Sequence, residues 1–196
     1  NRPALLAIDA PLGWPVDLAP ALTNHRAGKP IPKRPDDLFH RKTDSYITKN
    51  LGKRPLEIGA DRIARTAHAA LDMLGALRMS LMAEIPLAWV ATDIKEISAI
   101  EVYPAATLTA HGLLSSGYKK KPQTEERRQI LEGLEGKIDI PQRLISLFEA
   151  NADALDAALC LLAAKDFLDG HVIPPPSEIK SVAEIEGWIW AAPMQI

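Results

Sequence analysis

Cysteine is all but absent: Cys160 is the single thiol in 196 residues, and it lies in an apolar stretch. A disulfide framework is excluded, and this usage fits a reducing compartment, so a cytoplasmic location is expected. No apolar run is long enough to span a bilayer, and the start lacks the basic, apolar, small-residue order of a signal peptide. No membrane partner is expected. An initiator methionine is also lacking, and Asn1 is followed almost at once by the strand-like Ala4-Leu-Leu-Ala-Ile8, so the chain is expected to begin inside a longer protein. Three motifs are missing as well. Without a Gly-rich phosphate loop, a Gly-x-Ser-x-Gly elbow or paired His and Cys ligands, the chain offers no phosphate cradle of that kind, gives a Ser or Cys nucleophile poor support and makes zinc a less expected metal than Mg²⁺ or Mn²⁺.

What is present suffices for one α/β core: 47% of residues are hydrophobic, and a single domain over 1–196 is expected. The net charge of −2 is unevenly spread. From His25 to Arg54, nine basic residues face three acids, a local +6 that leaves −8 for the remainder. Pro30, Pro32 and Pro35 punctuate that segment, so it reads as an extended basic arm over about 25–54, suited to a polyanion or simply solvated. Lys119-Lys120-Lys121 adds a second basic spot.

The run Ala4 to Asp9 reads as a fully buried strand stopped by Ala10-Pro-Leu-Gly-Trp-Pro15, with Asp9 at its carboxyl end, where open α/β sheets place their ligands. Apolar residues from Ile63 to Leu81 recur at helical spacing, predicting one long helix over 58–84 or two joined near Gly75. Leu87–Thr92 and Ile97–Tyr103 are β-rich, and Glu101 falls among Ile, Ala and Val in the second. Helices are predicted over 104–114, 124–135, 141–150 and 153–169, with Gly170 as the stop. Beyond Pro174-Pro-Pro176, Ser181-Val-Ala-Glu184 resembles a capping box.

The helix over 153–169 carries Asp153 and Asp156 at i, i+3 on a face continued by Ala157, Cys160 and Ala164. No Lys or Arg shares that face within two turns, so either the acids cap the helix or a bound cation answers them. With Asp9 and Glu101, four carboxylates on separate elements stand out. Hard ions such as Mg²⁺ or Mn²⁺ take oxygen ligands, and a pair of them activates water and steadies the leaving oxygen of a phosphodiester.

Six motifs in order carry a resemblance: Ile8-Asp9-Ala-Pro-Leu-Gly-Trp-Pro, Arg41-Lys42-Thr-Asp44, Glu101-Val-Tyr-Pro-Ala-Ala, Tyr118-Lys119, Leu155-Asp156-Ala-Ala-Leu-Cys and Gly187-Trp-Ile189. Together they resemble the predicted nucleases of ribonuclease H-like fold, the domain-of-unknown-function family numbered four hundred and twenty-nine, distantly similar to the Holliday-junction resolvases. The resemblance implies a mixed sheet flanked by helices, with N-terminal strands missing from this chain, one of which supplies a further Asp. Exposed sheet edges then favour association, a dimer being the simplest form.

The activity so implied is metal-dependent hydrolysis of nucleic acid, DNA or RNA. Catalytic residues carry over as Asp9, Glu101, Asp153 and Asp156, of which Asp9, Asp153 and Asp156 hold Mg²⁺ or Mn²⁺. Arg41, Lys42, Tyr118 and Lys119 are expected to meet phosphates, Arg41 either doing so or forming a local ion pair with Asp44. The alternative is a non-catalytic domain of the same fold that binds nucleic acid or protein.

Overall fold

Two short strands that lie far apart in sequence pair in parallel: Ala4–Ile8 (β1) runs beside Ile97–Glu101 (β2), with Ile8 opposite Glu101. This is a computed structural model, and it describes residues 3–120 and 122–194. Between and after the strands the helices are Leu18–Leu22 (α1), Pro35–Phe39 (α2), Lys42–Leu51 (α3), Ile63–Leu81 (α4), Pro104–Ala110 (α5), Thr124–Gly133 (α6), Gln142–Ala150 (α7), Ala152–Leu168 (α8) and Lys180–Glu186 (α9). The class is α/β, as the sequence implies. The chain divides into two compact units. One takes the chain up to Asp9, Pro86–Ile173 and the chain from Trp190 on; the other takes Ala10–Ile85 and Pro174–Ile189.

In the first unit α5, α6, α7 and α8 enclose an aliphatic core. Leu108, Ile130, Leu134, Leu155 and Leu159 are fully buried there, with Ile145 and Phe148 of α7 packed against them. Because α8 is apolar nearly all round, it is buried on most faces, with Leu155, Leu159, Leu162 and Phe167 inside. Phe167 and Trp190 meet edge to face with ring centroids 4.8 Å apart.

β2 is buried along its length, but β1 is only half-buried and Ala4 is exposed. The fully buried reading of β1 is corrected. Among the described residues β1 has one neighbouring strand, so its other edge lacks the cover that a central strand enjoys. The expected strand at 87–92 reduces to a single parallel bridge, Leu87 to Ala99, followed by a 3₁₀ turn at Ala91–Asp93. Pro86, which has no N–H to give, accepts from Ala99 at 2.9 Å and keeps that pairing short.

The second unit corrects the basic arm. Residues 23–34 lack regular structure, but α2 and α3 occupy much of the rest, and Leu38, Ile47 and Leu51 are buried. Pro35 opens α2 in the first turn, where its fixed φ and missing N–H are assets, so proline here begins a helix instead of forbidding one. Helix α4 runs through Gly75 unbroken and buries a narrow stripe of Ala67, Ala70 and Leu74. The capping box at Ser181 is also corrected. A 3₁₀ turn at Ser177–Ile179 already winds the chain after the prolines, so α9 starts at Lys180 and Ser181 lies inside it.

Candidate active site in the first unit

The register that sets Ile8 opposite Glu101 brings both strands to a common carboxyl end, with Asp9 next in the chain after Ile8. Val102 N–H continues the ladder to Ile8 O at 2.9 Å. Glu101 is the last residue of β2 and is buried, 3% exposed, so the expectation of an acid inside the strand becomes one of an acid at its mouth. Helix α8 packs on β1 and supplies the other two acids. Asn151 caps α8, its Oδ1 accepting from Asp153 N–H at 2.9 Å and Ala154 N–H at 3.2 Å. Asp153 is therefore free of the capping duty and faces solvent, while Asp156, one turn on, is buried.

Asp156 has partners that the helix face alone does not predict. Tyr118 Oη donates to its Oδ1 at 2.7 Å, and Lys119 Nζ lies 2.7 Å from its Oδ2. Both come from the loop between α5 and α6, which Arg127 pins from below: its Nη1 donates to Tyr118 O at 2.6 Å and to Lys120 O at 3.0 Å. Burial of Arg127 at 1% exposure lets it hold that loop rigidly. Lys121 lies outside the described residues.

The four acids act on one another. Asp9 is exposed by surface area, although protein atoms crowd the carboxylate on its inner side. The Asp9 carboxyl is pushed up to about 6, first by lost solvation and then by Asp156, Glu101 and Asp153, against the lowering pull of Lys119. Burial alone would lower the Lys119 ammonium, but its bond to Asp156 and the fields of Asp156 and Asp9 raise it, so it stays charged. Burial pushes the Cys160 thiol up to about 12, with Asp9 and Asp156 adding to the effect, which removes it as a nucleophile. Tyr103, whose hydroxyl is raised by burial, feels Lys119, Asp9 and Asp156 as well.

A family model described as "Protein of unknown function (DUF429)" matches residues 1–180. The chain belongs to that family. No curated protein and no solved structure matches it. In this DUF429 member the motifs singled out in the sequence fall into two sets. Asp9, Glu101, Tyr118 with Lys119, and Asp156 build the acidic site of the first unit.

The other set ties the second unit together. Arg41 is 2% exposed and grips Asp44 through Nη2 to Oδ1 at 2.9 Å and Nε to Oδ2 at 3.2 Å, while Nη1 reaches Glu186 O at 3.2 Å. Glu186 in turn accepts from Val16 N–H at 2.9 Å and Lys42 N–H at 2.6 Å. Ile189 N–H donates to Thr43 Oγ1 at 2.8 Å, and Trp188 packs on Tyr46 with centroids 5.1 Å apart.

Of the two readings of Arg41, the ion pair with Asp44 is the one present, and it is buried. Among the four residues assigned to phosphate, Lys42 and Lys119 reach solvent, whereas Arg41 and Tyr118 are closed off by their own partners. Residues missed by sequence reasoning are Tyr103, Arg127 and Glu186. Tyr103 stands inside a quoted motif and was within reach; Arg127 and Glu186 carry no local pattern, since their partners are backbone carbonyls and amides distant in sequence.

Proposed function

We propose that this protein hydrolyses phosphodiester bonds of nucleic acid with Mg²⁺ or Mn²⁺ held by Asp9, Asp153 and Asp156, on a ribonuclease H-like fold. The observation that carries this reading is the gathering of four carboxylates from both strand ends and the start of α8, tight enough that their repulsion helps lift Asp9. Such crowding is relieved by a cation, and an all-oxygen donor set suits a hard one. In the arrangement described, no three acids, histidines or cysteines among the described residues close around one point. Both Asp156 oxygens are engaged, and the Lys119 ammonium occupies the position of a counter-cation.

The donor chemistry therefore fits, and the residue that must move is Lys119, whose side chain is 53% exposed and has room to do so. Bound ions would supply an activated water and neutralise charge on the leaving oxygen. Tyr118 keeps Asp156 oriented by holding Oδ1. Lys119, released from Oδ2, would meet a phosphate oxygen of the substrate, a position-fixing contact that reads no sequence.

The test is Mn²⁺ titration of the full chain by calorimetry, alongside cleavage of single-stranded, duplex and branched DNA and RNA. Wild type should bind Mn²⁺ and cut at least one substrate, and Asp156→Asn should lose both while remaining folded. A chain that neither binds Mn²⁺ nor cuts overturns the proposal.

One observation favours a second reading, a non-catalytic domain that binds nucleic acid or protein: Asp156 is already satisfied by Tyr118 and Lys119. On that reading Asp156→Asn alters stability by about 1 kcal/mol, the scale of one hydrogen bond, and changes no reaction.

A further inference from the structure

In the second unit, α2 and α3 with their flanks line an open polar groove of about 490 Å³ that includes Arg34, His40, Lys42, Ser45, Lys49 and Arg54. Asp36 and Asp37 also line it, each beside a nitrogen-bearing side chain. Asp37 pairs with Arg34 at 3.2 Å, and Asp36 Oδ1 lies 3.4 Å from His40 Nδ1. Arg54 lies 3.2 Å from Glu57. Lys42 and Lys49 have no carboxylate within ion-pair reach among the described residues.

Those two lysines are seven residues apart on α3, so they share one face, about 10 Å apart along the axis, with Ser45 between them. A row of cations along an open groove is matched to a row of anions better than to a single one. The arginine pairs do not oppose this, because exposed ion pairs are worth at most about 1 kcal/mol and exchange readily onto a phosphate. No Phe, Tyr or Trp lines the groove, so it favours contact with the backbone over stacking of bases.

We propose that this groove holds the phosphodiester backbone of a nucleic-acid strand, without reading its sequence, through Lys42 and Lys49 with Arg34 and Arg54 joining on binding. The inference rests on the nucleic-acid reading above for its ligand class, but not on catalysis.

The experiment is fluorescence anisotropy of a labelled mixed-sequence oligonucleotide with the full chain in EDTA, across a salt series. Lys42→Ala/Lys49→Ala should weaken binding on the order of tenfold at moderate salt and reduce the slope of log K against log salt by about two, one per lost phosphate contact. Lys95→Ala, an exposed lysine of the other unit, should leave both unchanged. EDTA removes any metal, so binding is read here apart from cleavage at the acid site. NMR shifts on adding the oligonucleotide should concentrate in α2 and α3, a readout that needs no variant. Equal affinity and slope for the double variant overturn the proposal, as does binding to polyglutamate or anionic vesicles as tight as to the oligonucleotide. Inorganic phosphate binding at the same strength per site would replace the strand by a small anion and overturn it too.

Discussion

The Lys119 ammonium sits 2.7 Å from Asp156 Oδ2, so the acid site carries its own counter-cation. A divalent ion entering the site competes with that ammonium for the same oxygen. Lys119→Met should therefore tighten Mn²⁺ binding, by roughly tenfold or more given the strength of charge interactions at such range. Calorimetry of both forms measures it, and weaker or unchanged binding in the variant contradicts a shared position. Cleavage should fall in the same variant, because a phosphate contact is lost along with the competitor.

Asp9 gives the site a pH dependence of defined sign. Its proton leaves near 3.8 in the unfolded chain and near 6 in the folded one, so between those values the folded chain binds the extra proton. This contribution favours folding at low pH and is lost as pH rises from about 4 to about 6, then stays constant. Denaturant titrations should show Asp9→Asn with a flatter profile than wild type across that window. Metal binding runs the other way: Mn²⁺ affinity should rise with pH through about 6, where Asp9 is half ionised, and level off above it.

The buried pair Arg41 and Asp44 is a structural element, and breaking it leaves an uncompensated charge at 1–2% exposure. Asp44→Asn should cost about 3–5 kcal/mol, read as a loss in urea midpoint, because the buried Arg41 then loses the Asp44 charge that it grips through two nitrogens. Arg41→Lys should also destabilise, since one ammonium cannot replace the fork that reaches both Asp44 oxygens and the Glu186 carbonyl. A phosphate-binding role predicts instead that these variants stay stable and lose only ligand affinity.

Gly13 sits where an added side chain would meet fixed backbone. A Cβ there would lie 2.5 Å from both the carbonyl carbon and oxygen of Glu186, backbone atoms that cannot swing aside. Gly13→Ala should destabilise by about 1–3 kcal/mol, the usual cost of overpacking, and Gly75→Ala, with nothing within 4 Å of its Cβ, serves as the neutral or stabilising control. Thermal melts of the two variants decide between these outcomes.

How far the sequence could be read depended on how local each determinant was. Helix α8 announced itself by composition, and Gly170, at φ 72, stops the chain just past it as expected. Asp9 was placed at a strand end because the apolar run before it is short and plainly bounded, whereas Glu101 was read inside a strand that stops at it, since Val102 and Tyr103 carry the same β-rich composition onward. The partners of Asp156 were hidden, since Tyr118 and Lys119 come from a loop whose shape depends on Arg127 reaching carbonyls that leave no side-chain signature. Arg41-Lys42-Thr-Asp44 was legible as a motif but not as a role, because burial of its guanidinium depends on Glu186, far along the chain. Proline misled in the basic segment: at a first helical turn it starts structure, and only in a helix interior does it break it.

The pairing of β1 with β2 also sets an order of events during synthesis. The first strand leaves the ribosome long before its partner, and residues 9–96, most of which belong to the other unit, must be made in between. That other unit cannot be completed early either, because Glu186 and Ile189 near the far end close its hydrogen bonds. Both halves therefore wait on late-translated chain, so nascent molecules should be exposed to chaperones and proteases for most of their elongation, and a premature stop before residue 174 should leave neither half with its full set of tethers.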